Sequence, residues 1–273
     1  MPILTSFKKK ILHILRLKKE KRYFPEINEN FFSIKNIFDF FPYWQSSFFV
    51  NEQKYGGVTD YKSQRVSILN VPSLYNYVNF KGKSVLELGP LEGGNTVILS
   101  AELGAREIVA IEGRVVNYVK CCVIKNLLGL KNACFILDDV RKISKEKYGT
   151  FDIALVSGIL YHLDNPIFLL ERLSTVTDTL VISTHYADAN SPSRKAPKKT
   201  LSTKFGTYHG RIYTEHSIND IHSGLQDESF WPFEEDLIRM CKDVGYKDIQ
   251  IVMKNPVAKE QKKLIYLVAK REG

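Results

Sequence analysis

With 273 residues, 44% of them apolar, the chain is long enough to bury a sizeable core, as one elaborated domain or a domain with a small cap. Its four cysteines, Cys121, Cys122, Cys134 and Cys241, form no C-x-x-C pair and no His/Cys ligand spacing, which points to reduced thiols and a cytoplasmic setting instead of a disulfide scaffold. No apolar run approaches ~18 residues, so no membrane-spanning helix is expected, and the N-terminus lacks the apolar stretch of a secretory signal.

The formal charge of +9 is concentrated at one end. Residues 1–22 hold eight Lys or Arg against Glu20 alone, a net of +7, which leaves the remaining chain close to neutral. Phe7, Ile11, Ile14 and Leu15 share one helical face there, with lysines opposite. Such a basic amphipathic helix has three readings: docking on its own domain or on a second copy in a homodimer, peripheral contact with an anionic membrane, or binding of RNA.

Residues 23–80 are aromatic-rich ("FFSIKNIFDFFPYW") without strand-helix rhythm, and are expected to form a helical N-terminal cap. From Lys81 a βα alternation sets in. Strands are expected at 84–88, 107–112, 133–138, 151–157 and 179–184, with helices near 94–103, 114–128 and 166–175. This alternation implies α/β architecture, with parallel strands covered by helices on both faces. Residues 188–230 break the rhythm: the stretch is polar and basic, has no acid between Asp188 and Glu215, and is expected to be a lid inserted after the fifth strand. A helix ("FEEDLIRMCKDVG") and two strands ("KDIQIVMK", "KKLIYLVAK") follow, the last pair antiparallel.

The stretch "VLELGPLEGGN" (85–95) ends the first strand in an acid and a nearly bare turn. A dinucleotide fold would want G-x-G-x-x-G receiving a pyrophosphate. Here Glu87 precedes Gly89 and Gly93–Gly94, and a carboxylate is unwelcome beside pyrophosphate but welcome beside an ammonium. No G-K-[ST] follows, which excludes a P-loop. "IVAIEG" then ends the second strand in Glu112. "CFILDDVRKI" ends the third in Asp138 and Asp139, and "FDIALVSGILYHLDNP" ends the fourth at Ser157 and Gly158.

These four landmarks together resemble the class I S-adenosylmethionine-dependent methyltransferases. The resemblance implies a Rossmann-like seven-stranded, mostly parallel sheet with an antiparallel last strand, and S-adenosyl-L-methionine as cofactor. It places Glu87, Gly89, Pro90 and Gly93 at the methionine end, with Leu91 where a middle glycine is usual. Glu112 falls at the ribose, Asp138, Asp139 and Val140 at the adenine, and Ser157 and Gly158 beside the sulfonium. "SGILYHLDNPIFLLERL" and "SFWPFEEDLIRMCKDVGYKDI" are most similar to a branch containing the tRNA wobble-uridine carboxymethyl-transfer enzymes and many small-molecule methyltransferases. Leu163-Asp164-Asn165 stands where the wobble enzymes carry basic residues, which favours ordinary S-adenosylmethionine over its carboxylated form.

The expected reaction is methylation of an oxygen, or a nitrogen, on a small-molecule or glycan-type acceptor. The rivals are a tRNA-modifying enzyme, a non-catalytic partner subunit and a nicotinamide oxidoreductase. His185, at the end of strand five in "VISTHYAD", ranks first as general base; His162, Tyr161 and Glu215 are further candidates, with Asp188, His209, Tyr213 and His216 nearby. No metal-ligand spacing is present, so metal-independent chemistry is expected. Arg194, Lys195, Lys198, Lys199, Lys204 and Arg211 give the insertion a positive field, suited to an anionic acceptor or simply to a solvated loop. Phe205, Tyr208, Tyr213, Phe230 and Trp231 are either a pocket wall or lid core.

Overall fold

The computed structural model describes residues 33–61, 67–190, 196–215, 222–256 and 263–271. Residues 1–22, expected as a basic amphipathic helix, lie outside them, as do His216, Arg194 and Lys195. The chain divides into residues 1–42 and 43–273. The first unit contributes α1 (Ile34–Asp39), capped by Ser33, whose Oγ accepts the Asn36 N–H at 3.1 Å. No helix among the described residues is long and apolar enough to cross a membrane.

The second unit opens with β1 (Ser46–Val50), β2 (Gln53–Gly56) and β3 (Thr59–Asp60), followed by 3-10 turns at Ile68–Asn70 and Pro72–Asn76. β1 and β2 form a hairpin in which Val50 faces Gln53, and β3 pairs parallel to β1. The helical lead-in expected here thus contains a small sheet at 46–60, flanked by α1 and the two 3-10 turns. Its two-residue turn, Asn51-Glu52, has positive φ at both positions, as right-twisted hairpins require, but without the glycine that would have announced it.

The main layer follows as β4 (Ser84–Leu88), α2 (Gly94–Val97, continued by a π-turn at Ile98–Glu102), β5 (Glu107–Glu112), α3 (Val115–Leu128), β6 (Ala133–Leu137), α4 (Lys145–Tyr148), β7 (Ile153–Ser157), α5 (Pro166–Ser174) and β8 (Thr179–Tyr186). Then come β9 (Lys198–Thr203), β10 (Gly206–Thr214), β11 (Glu228–Pro232), α6 (Glu234–Asp243), β12 (Asp248–Pro256) and β13 (Lys263–Lys270). Seven strands make one sheet in the order β12-β13-β8-β7-β4-β5-β6. The described ladders from β8 to β6 are parallel, while β13, the last strand, is antiparallel to both β8 and β12. This is the expected Rossmann-like arrangement. All five residues of β4 are buried, as an interior strand of a sheet covered on both faces requires. Strand order reverses between β4 and β7, which opens a crevice at their carboxyl ends.

The described residues of the segment 188–230 are mostly strand. β9, β10 and β11 form an antiparallel sheet of their own, with Gly210 opposite Pro232 and Tyr208 opposite Leu201. Tyr208 and Phe230 are fully buried in the same core cluster as Leu86, Leu169 and Leu237. Of the two readings offered for the insertion's aromatics, core holds for these. β11 also docks on the turn after β7: the Phe230 N–H donates to the Leu163 carbonyl at 2.8 Å, and Trp231 Nε1 donates to the Tyr161 carbonyl at 2.7 Å.

Candidate functional site

A cavity of about 930 Å³ lies at the carboxyl ends of β4, β5 and β7, where the strand order reverses. Of the residues singled out in the sequence, Gly89, Pro90, Glu112, Asp139, Val140, Ser157 and Gly158 line it, and so do Tyr161 and His162. Two further walls come from segments read only as cap and lid: Gln45, Lys54 and Val58 to Asp60 on one side, His222 to Gln226 on the other.

Gly89 turns the chain at φ +64°, its N–H donating to the Ile111 carbonyl at 2.9 Å, and a Cβ there would stand 3.3 Å from Ile159 Cδ1. Backbone thus approaches the cavity where a side chain would narrow it. Leu91 holds φ +57°, a left-handed conformation that costs an L-residue about 1–2 kcal/mol, which gives a physical reason for glycine being usual at that place. The Leu91 N–H donates to Glu112 Oε2 at 3.1 Å, and the Arg114 N–H donates to Glu112 Oε1 at 2.9 Å. Glu112 is 5% exposed; burial raises its pKa, opposed by these two amides and a hydrogen bond from Asn117. Three protein donors thus occupy its two oxygens, which leaves about one lone-pair site for a ligand hydroxyl.

Glu87 is not in the cavity. A residue two places before the turn directs its side chain onto a sheet face, and there Glu87 is buried beneath α2, with Oε2 accepting from Thr96 Oγ1 at 2.5 Å. Burial pushes its carboxyl up to about 7. Gly93 is also behind the cavity, at φ +85° as the N-cap of α2 and packed against Phe135 and Cys121. Asp138 turns away to Lys147 and Tyr148 of α4, whose hydrogen bonds hold its carboxyl down at about 2. Asp139 does line the cavity; Arg141 clamps its carboxylate through Nε at 2.9 Å and Nη2 at 2.5 Å, and the Arg141 N–H is capped at 2.9 Å.

The residue placed first as general base moves down the order. His185 is outside the cavity: its ring stacks on Trp231 at 5.1 Å and 7°, and its Nδ1 lies 3.1 Å from the Lys263 carbonyl on the antiparallel neighbour β13. Trp231 in turn stacks on Tyr213 at 4.0 Å, so His185 and Tyr213 are parts of one aromatic pile. Asp188 pairs with Lys263 at 2.9 Å, and His209 is exposed on β10 beside Thr200. The insertion's described cations are likewise elsewhere: Lys204 pairs with Glu171, and Arg211 is 3% exposed, donating to the carbonyls of Asp188 and Ala196.

His162 and Glu215 come together instead. Nδ1 of His162 is 3.0 Å from Glu215 Oε2, which also accepts the Gly224 N–H at 2.6 Å and the Ser223 hydroxyl at 3.1 Å. Burial alone would raise the Glu215 pKa, but His162 and the Gly224 amide outweigh it and hold the carboxyl down at about 2. An ionised carboxylate only accepts, so Nδ1 of His162 carries the proton and Nε2 is the basic nitrogen of the neutral ring. Tyr161 packs against both histidines, 4.2 Å from His162 and 4.7 Å from His185, and burial raises its hydroxyl to about 12, which keeps it a neutral donor.

Residues not singled out from the sequence complete the site. Glu92, in the glycine turn, pairs with Lys120 of α3 at 2.8 Å and accepts the Gln45 and Ser46 amides at 3.0 and 2.7 Å, joining β1 to the turn. Lys120 was legible: with Asn117, Cys121 and Ile124 it falls on the buried stripe of α3, where a lysine demands a partner. The Arg114 guanidinium reaches the Ser223 and Gly224 carbonyls, a contact more than a hundred positions away that spacing does not reveal.

No protein-family model matches the chain, and no curated protein matches its sequence significantly. Solved structures do. The N-terminal domain of EvdMO1, crystallised in the presence of SAH and D-fucose, superposes with a TM-score of 0.70 at 24% identity, covering 86% of this chain and 93% of that domain. The same domain with SAH bound gives 0.71 with the same identity and coverage, whereas the chain covers 41% of full-length EvdMO1. A S-adenosylmethionine-dependent methyltransferase from Clostridium acetobutylicum superposes at 0.52 with 15% identity, covering 78% of this chain and 93% of that one. The chain therefore shares the Rossmann-like fold of these methyltransferases.

Proposed function

We propose that the protein is an S-adenosylmethionine-dependent methyltransferase acting on a hydroxyl of a sugar-like small molecule, with Glu112 holding the cofactor ribose and His162 receiving the acceptor proton. One observation carries this reading: a single cavity contains both a hydroxyl-accepting carboxylate at the end of β5 and a histidine fixed by a carboxylate after β7.

The donor set fits such a cofactor. Glu112 offers a carboxylate oxygen to a ribose hydroxyl, and its charge disfavours a pyrophosphate in the same place. Gly89 and Gly158 leave backbone exposed where a thioether chain would pass. When bound, the cofactor supplies a methyl group on a positively charged sulfur. The protein's own part is to hold the acceptor in line and take up its proton, the latter contributing about 10²–10⁴-fold. Glu215 fixes the ring so that Nε2 is the accepting atom, and it stabilises the imidazolium that follows.

The cavity lies near the upper end of the volumes that small ligands use, room for an acceptor beside a nucleoside. Gln45, Asp60, His222 and Gln226 supply hydrogen-bonding walls and Tyr161 an aromatic one, a chemistry suited to polyols. D-fucose in the crystals of the EvdMO1 domain supports the same class.

The test is calorimetry with S-adenosylhomocysteine, followed by transfer of labelled methyl from S-adenosylmethionine to a panel of free deoxyhexoses, hexoses and nucleotide sugars, with total tRNA as the competing acceptor. Binding with labelling of a sugar is expected. Labelling of tRNA alone, or no binding of the homocysteine product, would overturn the reading.

A further inference from the structure

We infer that Arg114 is a positioning residue that ties the cofactor seat to the His162–Glu215 pair: its main chain holds Glu112, and its side chain holds the segment that aims Glu215. The inference rests on the proposed function and deepens it.

Arg114 stands two residues beyond Glu112, as the N-cap position of α3. Its main-chain amide fixes Glu112 Oε1 at 2.9 Å. Its guanidinium spans outward: Nη2 donates to the Ser223 carbonyl at 2.7 Å and to the Gly224 carbonyl at 2.8 Å, with Nε at 3.2 Å from the former. A planar fork matched to two successive carbonyls is a geometry that lysine does not reproduce.

The same two residues seat the catalytic pair from their other side. The Gly224 N–H and the Ser223 hydroxyl both donate to Glu215 Oε2, the oxygen that receives Nδ1 of His162. A continuous run of contacts thus leads from Glu112 through Arg114 and Ser223–Gly224 to Glu215 and His162. The run is tightly packed: a Cβ on Gly224 would stand 2.6 Å from the His162 carbonyl oxygen and 3.2 Å from Glu215 Cδ. If the guanidinium lets go, the segment is free to shift and Glu215 loses the donors that aim it.

The experiment follows the His162 ring by nitrogen NMR in histidine-labelled protein, which reads which nitrogen carries the proton without acceptor or cofactor. Wild type is expected to show one tautomer, protonated at Nδ1. Arg114→Met and Arg114→Lys should both lose that signature, while affinity for S-adenosylhomocysteine falls by less than ~10-fold, since Glu112 keeps both its amide donors. Gly224→Ala attacks the same contacts from the opposite side and should lose the signature too, so a poorly folding Arg114 variant does not decide the matter. An unchanged tautomer in a folded variant at either position overturns the inference. Failure of wild type to bind S-adenosylhomocysteine, with the tautomer responding as stated, would instead sink the proposed function and leave the positioning role standing.

Discussion

Glu92 and Lys120 form an ion pair at 2.8 Å with side chains 0% and 1% exposed, and through it the glycine turn, α3 and the start of β1 share one buried junction. Lys120 is fully engaged there, donating also to the Tyr43 carbonyl at 2.6 Å and lying 5.0 Å from the centre of the Trp44 ring. Removing one partner strands the other charge in the interior. Lys120→Met should therefore lower stability by about 3–5 kcal/mol, and Glu92→Gln in the same chain should restore most of it. Urea unfolding of the two single variants and the double variant checks this; additive losses would show that the pair is not the stabilising unit.

Glu87 makes a second prediction through its pKa. Its carboxyl titrates near 7 in the folded chain because burial disfavours the charged form, against an ordinary value of 4.5. Between those two values the folded state holds a proton that the unfolded state releases, so stability falls as pH rises through that window and levels off above it. The loss approaches about 3 kcal/mol at its plateau. Glu87→Gln keeps an acceptor for Thr96 and removes the titration. Wild type and variant should have similar urea midpoints near pH 4.5, with the variant more stable at pH 8; parallel curves at both pH values would contradict the burial argument.

The parallel sheet was legible because apolar runs and helical stripes alternate over 84–186 with little interruption, and the strands at 84–88 and 107–112 fall where expected. The small sheet at 46–60 was not, since its hairpin turn lacks glycine and its aromatics fit helix or strand equally. In the site, side chains at strand ends were found by motif, but orientation was not. Glu87 and Asp138 carry the right chemistry one sheet face or one residue away from the cavity. His162 and Glu215 were each visible, yet their pairing spans 53 positions and depends on how β10 and β11 fold back, which no local pattern encodes.

Glu112 supplies the prediction on the cofactor side. Glu112→Ala removes the acceptor for the Leu91 and Arg114 amides and for ligand hydroxyls alike. Two amides losing their partner in a part-buried site cost about 1–3 kcal/mol each. Affinity for S-adenosylhomocysteine should fall at least ~10-fold. Calorimetry on the folded variant checks it, and near-normal affinity would mean that the nucleoside sits elsewhere.

The last prediction concerns the base. Because His162 and its neighbours hold the Glu215 carboxyl at about 2, that group is ionised throughout the working range, and any stability it contributes is present above its ordinary value of 4.5 and lost as pH falls through about 2. Its charge therefore acts on His162 equally at every pH from 5 to 9. Because that charge also favours the protonated ring, Glu215→Gln should lower methyl transfer by a factor that is largest at the alkaline end of the range and shrinks toward acid, and His162→Ala should lower it by about 10²–10⁴-fold, with S-adenosylhomocysteine affinity within a few-fold of wild type in both. His185→Ala tests the competing assignment: its ring is held in the Trp231 stack outside the cavity, so the loss should be smaller than at His162. Rate profiles against pH for the three variants decide between them, and a larger defect at His185 would return the proton-accepting role to the end of β8.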